Sequence, residues 1–150
     1  MGKLGHVSSF RDLEVYRRSR TVAREIFELS KSFPRDEAYS LTDQVRRSSR
    51  AIGAQVAEAW AKRRYERHFV SKLTDGDAEQ HETRHWVEVA ADCGYVSRQE
   101  AVRLSEELGE IGRMLNGMIV KSASCCACGG AEALPDAPGG PVASAGEPKN

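Results

Sequence analysis

One stretch of this 150-residue chain, His81-Glu82-Thr83-Arg84-His85, has the residue types and spacing of a catalytic pattern. In H-E-x-x-H, two histidines one helical turn apart hold zinc and the glutamate takes the proton of the metal-bound water. A zinc metallohydrolase also needs a third protein ligand. Downstream, the candidates are helix-four carboxylates such as Glu106, Glu107 and Glu110, and no recognisable motif fixes them. At 100° per residue, His81 and His85 fall opposite the apolar line of Phe69, Leu73 and Val87, toward solvent or a partner and away from any water-excluding cleft. No strand-rich half precedes the helix to bind a substrate. Zinc hydrolysis is therefore the remote reading, with coincidence the leading one; no catalytic residue, metal, cofactor or small-molecule substrate is expected.

Other chemistries are thinner still. The chain has no G-x-S-x-G, phosphate-binding glycine loop or dinucleotide fingerprint. Cys125, Cys126 and Cys128 lack a nearby fourth ligand and read as incidental thiols, while Cys93 reads as a small buried apolar residue. Trp60 and Trp86 flank apolar stripes and read as packing or interface residues. The remaining candidates are cations: Arg46, Arg47 and Arg50, with Lys62, Arg63 and Arg64 further along.

Four helices must position these groups. Ser9-Phe-Arg-Asp12 resembles a capping box, and Leu13, Tyr16, Ala23, Ile26 and Phe27 trace a stripe that runs to about Ser30 before Phe33-Pro34. The second helix starts at Ser40-Leu-Thr-Asp43 and keeps one side apolar or small at 41, 45, 48, 52, 56 and 59. Arg46 and Arg50 project from another side, continued by the small residues Gly53 and Ala57; with Trp60, these suggest a subunit interface. The third helix, from about Glu66 to Asp92, places Phe69, Leu73, Gly76, Gln80, Thr83, Val87 and Ala90 on one seam. Cys93-Gly94-Tyr95 reads as its stop. Ser97-Arg-Gln-Glu100 opens a fourth helix with Ala101, Leu104, Leu108, Ile111, Leu115 and Met118 inward. Long helices joined by short links run antiparallel, which gives an all-α, up-down four-helix bundle. The segment between Ala59 and Arg67 has neither Gly nor Pro, so ordinary residues must make that turn.

The expected organisation is an extension over 1–9, a bundle over 10–120 and a tail over 121–150. From Ser122 to Asn150, 19 of 29 residues are Ala, Gly, Pro or Ser, a composition that reads as disordered. No apolar run reaches the length of a membrane span, and the start, Met1-Gly-Lys-Leu-Gly-His6, is not a secretory signal, so a cytoplasmic location is the default. The net charge of zero hides an asymmetry: residues 1–74 carry 16 Lys or Arg against 9 Asp or Glu, whereas residues 75–120 carry 4 against 10. Such halves either pack against each other, within or between subunits, or keep a basic surface for an anionic partner.

Phe10-Arg-Asp-Leu-Glu-Val-Tyr16, the link Phe33-Pro34 to Glu37-Ala-Tyr-Ser-Leu-Thr42, Gln44-Val-Arg-Arg-Ser-Ser-Arg50 with Val56-Ala-Glu-Ala-Trp60, and Cys93-Gly-Tyr95 occur in this order. Together they resemble the bacterial four-helix-bundle family of proteins encoded by ribosomal RNA intervening sequences, labelled S23 ribosomal proteins and similar to the accessory protein of diversity-generating retroelements. The resemblance covers about residues 10–119, departing from the pattern at Gln55 and Ala59. It implies a barrel-like homopentamer without catalytic activity and a role, left undefined, in binding nucleic acid or a nucleic-acid enzyme. It brings no set of functional residues with it. The expected function is a non-enzymatic oligomeric bundle that contacts RNA or DNA phosphates through Arg46, Arg47, Arg50, Lys62, Arg63 and Arg64. The alternative is a pure protein–protein interaction scaffold, in which those arginines pair with acidic helices.

Overall fold

A computed structural model describes residues 7–127. Ser9 caps a single 3-10 turn, Phe10–Asp12, which leads into α1 (Glu14–Ser30); α2 (Leu41–Ala61), α3 (Glu66–Asp92), α4 (Arg98–Val120) and the short α5 (Ser122–Ala127) follow. Each long helix packs on its chain neighbour, and α1 closes on α4. Among the described residues there are no strands, and no helix is long and apolar enough to cross a membrane.

The inward faces of α2 and α3 are those the spacing predicts: Leu41, Val45, Ser48, Ile52, Val56 and Ala59 are buried against Phe69, Leu73, Gly76, Gln80, Thr83, Val87 and Ala90. In the polar middle of this seam Thr83 Oγ1 lies 2.9 Å from Ser48 Oγ, while the buried Gln80 Oε1 has no partner among the described residues. On α4, Ala101, Leu104, Leu108, Ile111 and Leu115 are buried, and Met118 is half-buried at the rim.

The inward face of α1 differs from expectation. The buried residues are Val15, Ser19, Val22, Ile26 and Ser30; of the expected stripe Ile26 is buried, Leu13 and Tyr16 pack half-buried against the core, and Ala23 and Phe27 lie half-exposed on the flank. The two serines fit a core because each hydroxyl is satisfied within its own helix, Ser19 donating to the Tyr16 carbonyl (2.8 Å) and Ser30 to that of Phe27 (2.9 Å).

Helix ends follow local chemistry, with two revisions. Ser40 makes no capping bond; the Leu41 N–H donates instead to Glu37 Oε2 at 3.2 Å. Ser97 accepts from the Glu100 N–H, but the Glu100 carboxylate turns to Arg103, so only half of that capping box forms. The stop after α3 is as expected: Gly94 takes φ +77°, its N–H donates to the Ala91 carbonyl, and the Tyr95 N–H reaches back to that of Ala90. The Tyr95 ring packs on Phe33, and its hydroxyl donates to Glu37. Lys62–Tyr65 turns without positive φ, by Lys62 and Tyr65 N–H bonds to carbonyls three or four residues back.

Two features depart from the expected tail and thiols. Order continues past the composition change: α5 packs on α3 and α4, buries Cys126, and Ser122 Oγ donates to Glu66 at 2.7 Å. Cys93 is exposed at the end of α3, not buried, because the left-handed turn at Gly94 leads the chain away there. The tail reading for 128–150, with Cys128, and the start of the extension at 1–6 lie outside the described residues.

Candidate nucleic-acid interface

A groove lies on the outside of the α1–α2 pair. Since α1 turns Val15, Val22 and Ile26 inward, Arg20, Arg24 and Phe27 stand on its flank beside α2, whose Arg50 meets them from the other side. Ser19, Ala23, Ser49 and Gly53 also line this space of about 450 Å³. Its residues are small because the helices come close here: a Cβ on Gly53 would stand 3.2 Å from Ser19 Oγ and 3.7 Å from the Tyr16 ring. The small size of Gly53 thus serves a contact within the chain. Ala57 and Trp60, its companions in the interface expectation, are half-buried.

The electrostatics of the groove are one-sided. Its lining includes three guanidinium groups and no carboxylate. At one end, Arg46 and Arg50 lie over the Phe27 ring, 4.7 and 5.2 Å from its centroid, with the Lys31 ammonium, which is paired to Glu28, at 4.9 Å. Arg46 Nε also donates to Ser30 Oγ at 2.7 Å. At the other end, Arg20 lies 5.9 Å from the Tyr16 ring, and Arg11 lies 4.5 Å from Phe10, which packs edge-on against Tyr16. Aromatic faces hold guanidinium groups without neutralising them. Among the described residues, Arg11, Arg20, Arg24, Arg46 and Arg50 form no ion pair with a carboxylate, as is also true of Arg17, Arg35, Arg63, Arg64, Arg67 and Arg84, whereas Arg18, Arg47, Arg98, Arg103 and Arg113 do.

The other expected contacts separate. Arg47 crosses to α3, where it pairs with Glu82 and places Nη1 3.5 Å from Glu79 Oε2. The packing alternative for the arginines thus describes Arg47 within one chain, and its guanidinium is not free for phosphate. Lys62 and Arg64 are exposed at the α2–α3 turn, while Arg63 folds over Trp60 at 4.2 Å and donates to its carbonyl. They lie near the end of the bundle, apart from the groove lining. Missing from the expected set were Arg20, Arg24 and the ring of Phe27. The spacing Arg17, Arg20, Arg24 marks one basic side of a helix, a signal masked by assigning Tyr16, Ala23 and Phe27 to the core.

The H-E-x-x-H residues occupy a different surface and have other partners. Glu82 accepts from Arg47 and from the Trp86 Nε1–H (3.2 Å), and these donors hold its carboxyl below the usual carboxylate range. Burial pushes Glu79 above that range, with Arg47 opposing. His81 is exposed beside the Asp77 carbonyl (2.9 Å), and exposed His85 packs edge-on against Trp86. Among the described residues, no three His, Cys, Asp or Glu side chains converge as metal ligands. The donor set does not fit a catalytic zinc, which needs three protein ligands around an open position.

The family model described as 23S rRNA-intervening sequence protein matches residues 11–117. The chain belongs to this family. The match takes in α1, α2, α3, the groove lining and α4 as far as Gly117, and ends before α5. No curated protein matches the sequence. The fold is similar to the crystal structure of a protein of unknown function from the S23 ribosomal protein family of Bacteroides thetaiotaomicron VPI-5482, with 26% sequence identity, a TM-score of 0.64, and coverage of 71% of this chain and 95% of that one. In this member of the family, Glu82 is the acceptor that joins α2 to α3 through Arg47 and anchors Trp86.

Proposed function

We propose that the protein binds the phosphodiester backbone of nucleic acid through the α1–α2 groove and does no chemistry on it. The observation that carries this reading is the groove lining, on which three arginines from two helices converge with no carboxylate among them. Unneutralised guanidinium groups fixed on helices and rings suit phosphate oxygens, which they contact as planar forks. The small, back-bonded floor offers little with which to read a base: the Ser19 and Ser49 hydroxyls already donate to carbonyls of their own helices.

The test is the salt dependence of binding to a fluorescent RNA oligonucleotide, followed by anisotropy. For every phosphate no longer neutralised, the plot of log affinity against log salt should flatten by about 0.7 to 0.9 units. The Arg20→Ala, Arg24→Ala, Arg50→Ala triple variant should flatten it by about 2 units, uniformly across sequences. Absence of binding by the unmodified protein at low salt, or a triple variant that binds normally, refutes the proposal and favours the interaction-scaffold reading. The α3–α4 groove would then become the leading surface: it spans about 470 Å³ and presents both signs, through Arg84, Glu88, Asp92, Arg98, Glu106 and Arg113.

A further inference from the structure

We infer that the occupant of the α1–α2 groove is a single strand, lying along the helices and held without regard to base sequence. This rests on the backbone-binding reading above and deepens it. The first argument is shape. The cations do not form a convex patch that a rod could rest on. Arg20 and Arg24 rise from one helix and Arg50 from the other, with Ser19, Ala23, Ser49 and Gly53 between them. A duplex carries its phosphates on the outside of a thick cylinder and can touch only the rims. A lone backbone can enter the groove and meet cations from both walls.

The second argument is length. The basic region runs along α1 from Tyr16, with Arg20 over it, to Phe27, beneath Arg46 and Arg50. Eleven residues at 1.5 Å each span about 17 Å, room for about five phosphates at most if a stacked strand advances roughly 3.4 Å per nucleotide. The third concerns the rings. Strand-binding proteins commonly stack bases on bare aromatic faces. Here Phe27 is covered by Arg46, Arg50 and Lys31, and Phe10 by Arg11. The aromatics thus support guanidinium groups and leave bases unread, so contact is with the backbone alone.

The experiment compares fluorescein-labelled oligouridine, oligoadenine and oligothymidine of twelve nucleotides with a twelve-base-pair RNA duplex at one ionic strength, using the full chain. The single strands should bind within about twofold of one another and at least tenfold more tightly than the duplex, with affinity rising steeply up to about five nucleotides of length. Ala23→Phe, which fills the groove without altering charge, should weaken single-strand binding at least tenfold. Arg24→Ala, an exposed change that spares the packing, should lower the single-strand salt slope by about 0.7. Tighter binding of the duplex, or single-strand binding unchanged in Ala23→Phe with a normal circular dichroism spectrum, overturns the inference and leaves backbone binding standing. If neither form binds, both readings fall together.

Discussion

Replacing Arg47 with Ala tests whether Glu82 is a structural acceptor. Arg47 reaches from α2 to two carboxylates of α3, Glu82 and Glu79, three residues apart. Without it they lose their shared cation and repel each other, and Glu79 is the less solvated of the two, its side chain 20% exposed against 35% for Glu82. Each ion pair of such partial exposure contributes about 0.2–1 kcal/mol. An uncompensated, mostly buried acceptor adds about 1 kcal/mol or more. The expected cost is therefore about 2 kcal/mol at neutral pH, and at roughly 4 °C per kcal/mol for a bundle of this size, a fall of about 8 °C in Tm. The pH dependence follows from opposite shifts. The folded carboxyl of Glu82 lies below its unfolded value, so its stabilising effect is present above about pH 4.3 and is lost as pH falls through the folded value. That of Glu79 is raised, so ionising it costs stability as pH rises, more so once Arg47 is gone. Both effects narrow the gap between the two proteins in acid. Thermal unfolding followed at 222 nm should show the difference of about 8 °C at pH 7 narrowing at pH 3.5. A gap equal at both pH values, or absent at pH 7, refutes the assignment.

Two further outcomes are expected. Leu108→Ala, at a side chain with 0% exposure in the centre of the core, should cost about 3–5 kcal/mol, read as a lower urea midpoint with an unchanged denaturant slope. Elemental analysis of the purified protein should find no stoichiometric zinc, and His85→Ala should leave Tm unchanged by added chelator; about one zinc per chain, released by that substitution, would restore the hydrolase reading.

The legibility of this chain varied by helix, for physical reasons. On α2 and α3, apolar and small residues alternate at the period of the packed seam, and every predicted inward position is buried, including Gln80 and Thr83. On α1, two of the five inward positions are serines that satisfy themselves by back-bonding. They break the apolar pattern, and the conspicuous residues Tyr16 and Phe27 attract the stripe to the wrong flank. That rotation hid the groove, since Arg20 and Arg24 acquire a meaning only once Phe27 stands beside Arg50. The fate of Arg47 was hidden for another reason: its partners lie 32 and 35 residues away, and no local spacing reports such a pairing. The cap at Glu37 was obscured by Ser40, which has the right type at the right position but makes no capping bond.

Glu37 also bears on the order of assembly. One of its oxygens accepts the first N–H of α2 and the other the hydroxyl of Tyr95, so a single side chain ties together both links at one end of the bundle. The α2–α3 hairpin, with only Lys62–Tyr65 between its helices, closes at little entropic expense and can form early. The Glu37–Tyr95 clasp closes a loop of 58 residues, yet closure entropy grows only with the logarithm of length. The clasp thus fixes the register of the α1–α2 link against that of the α3–α4 link at one end of the bundle.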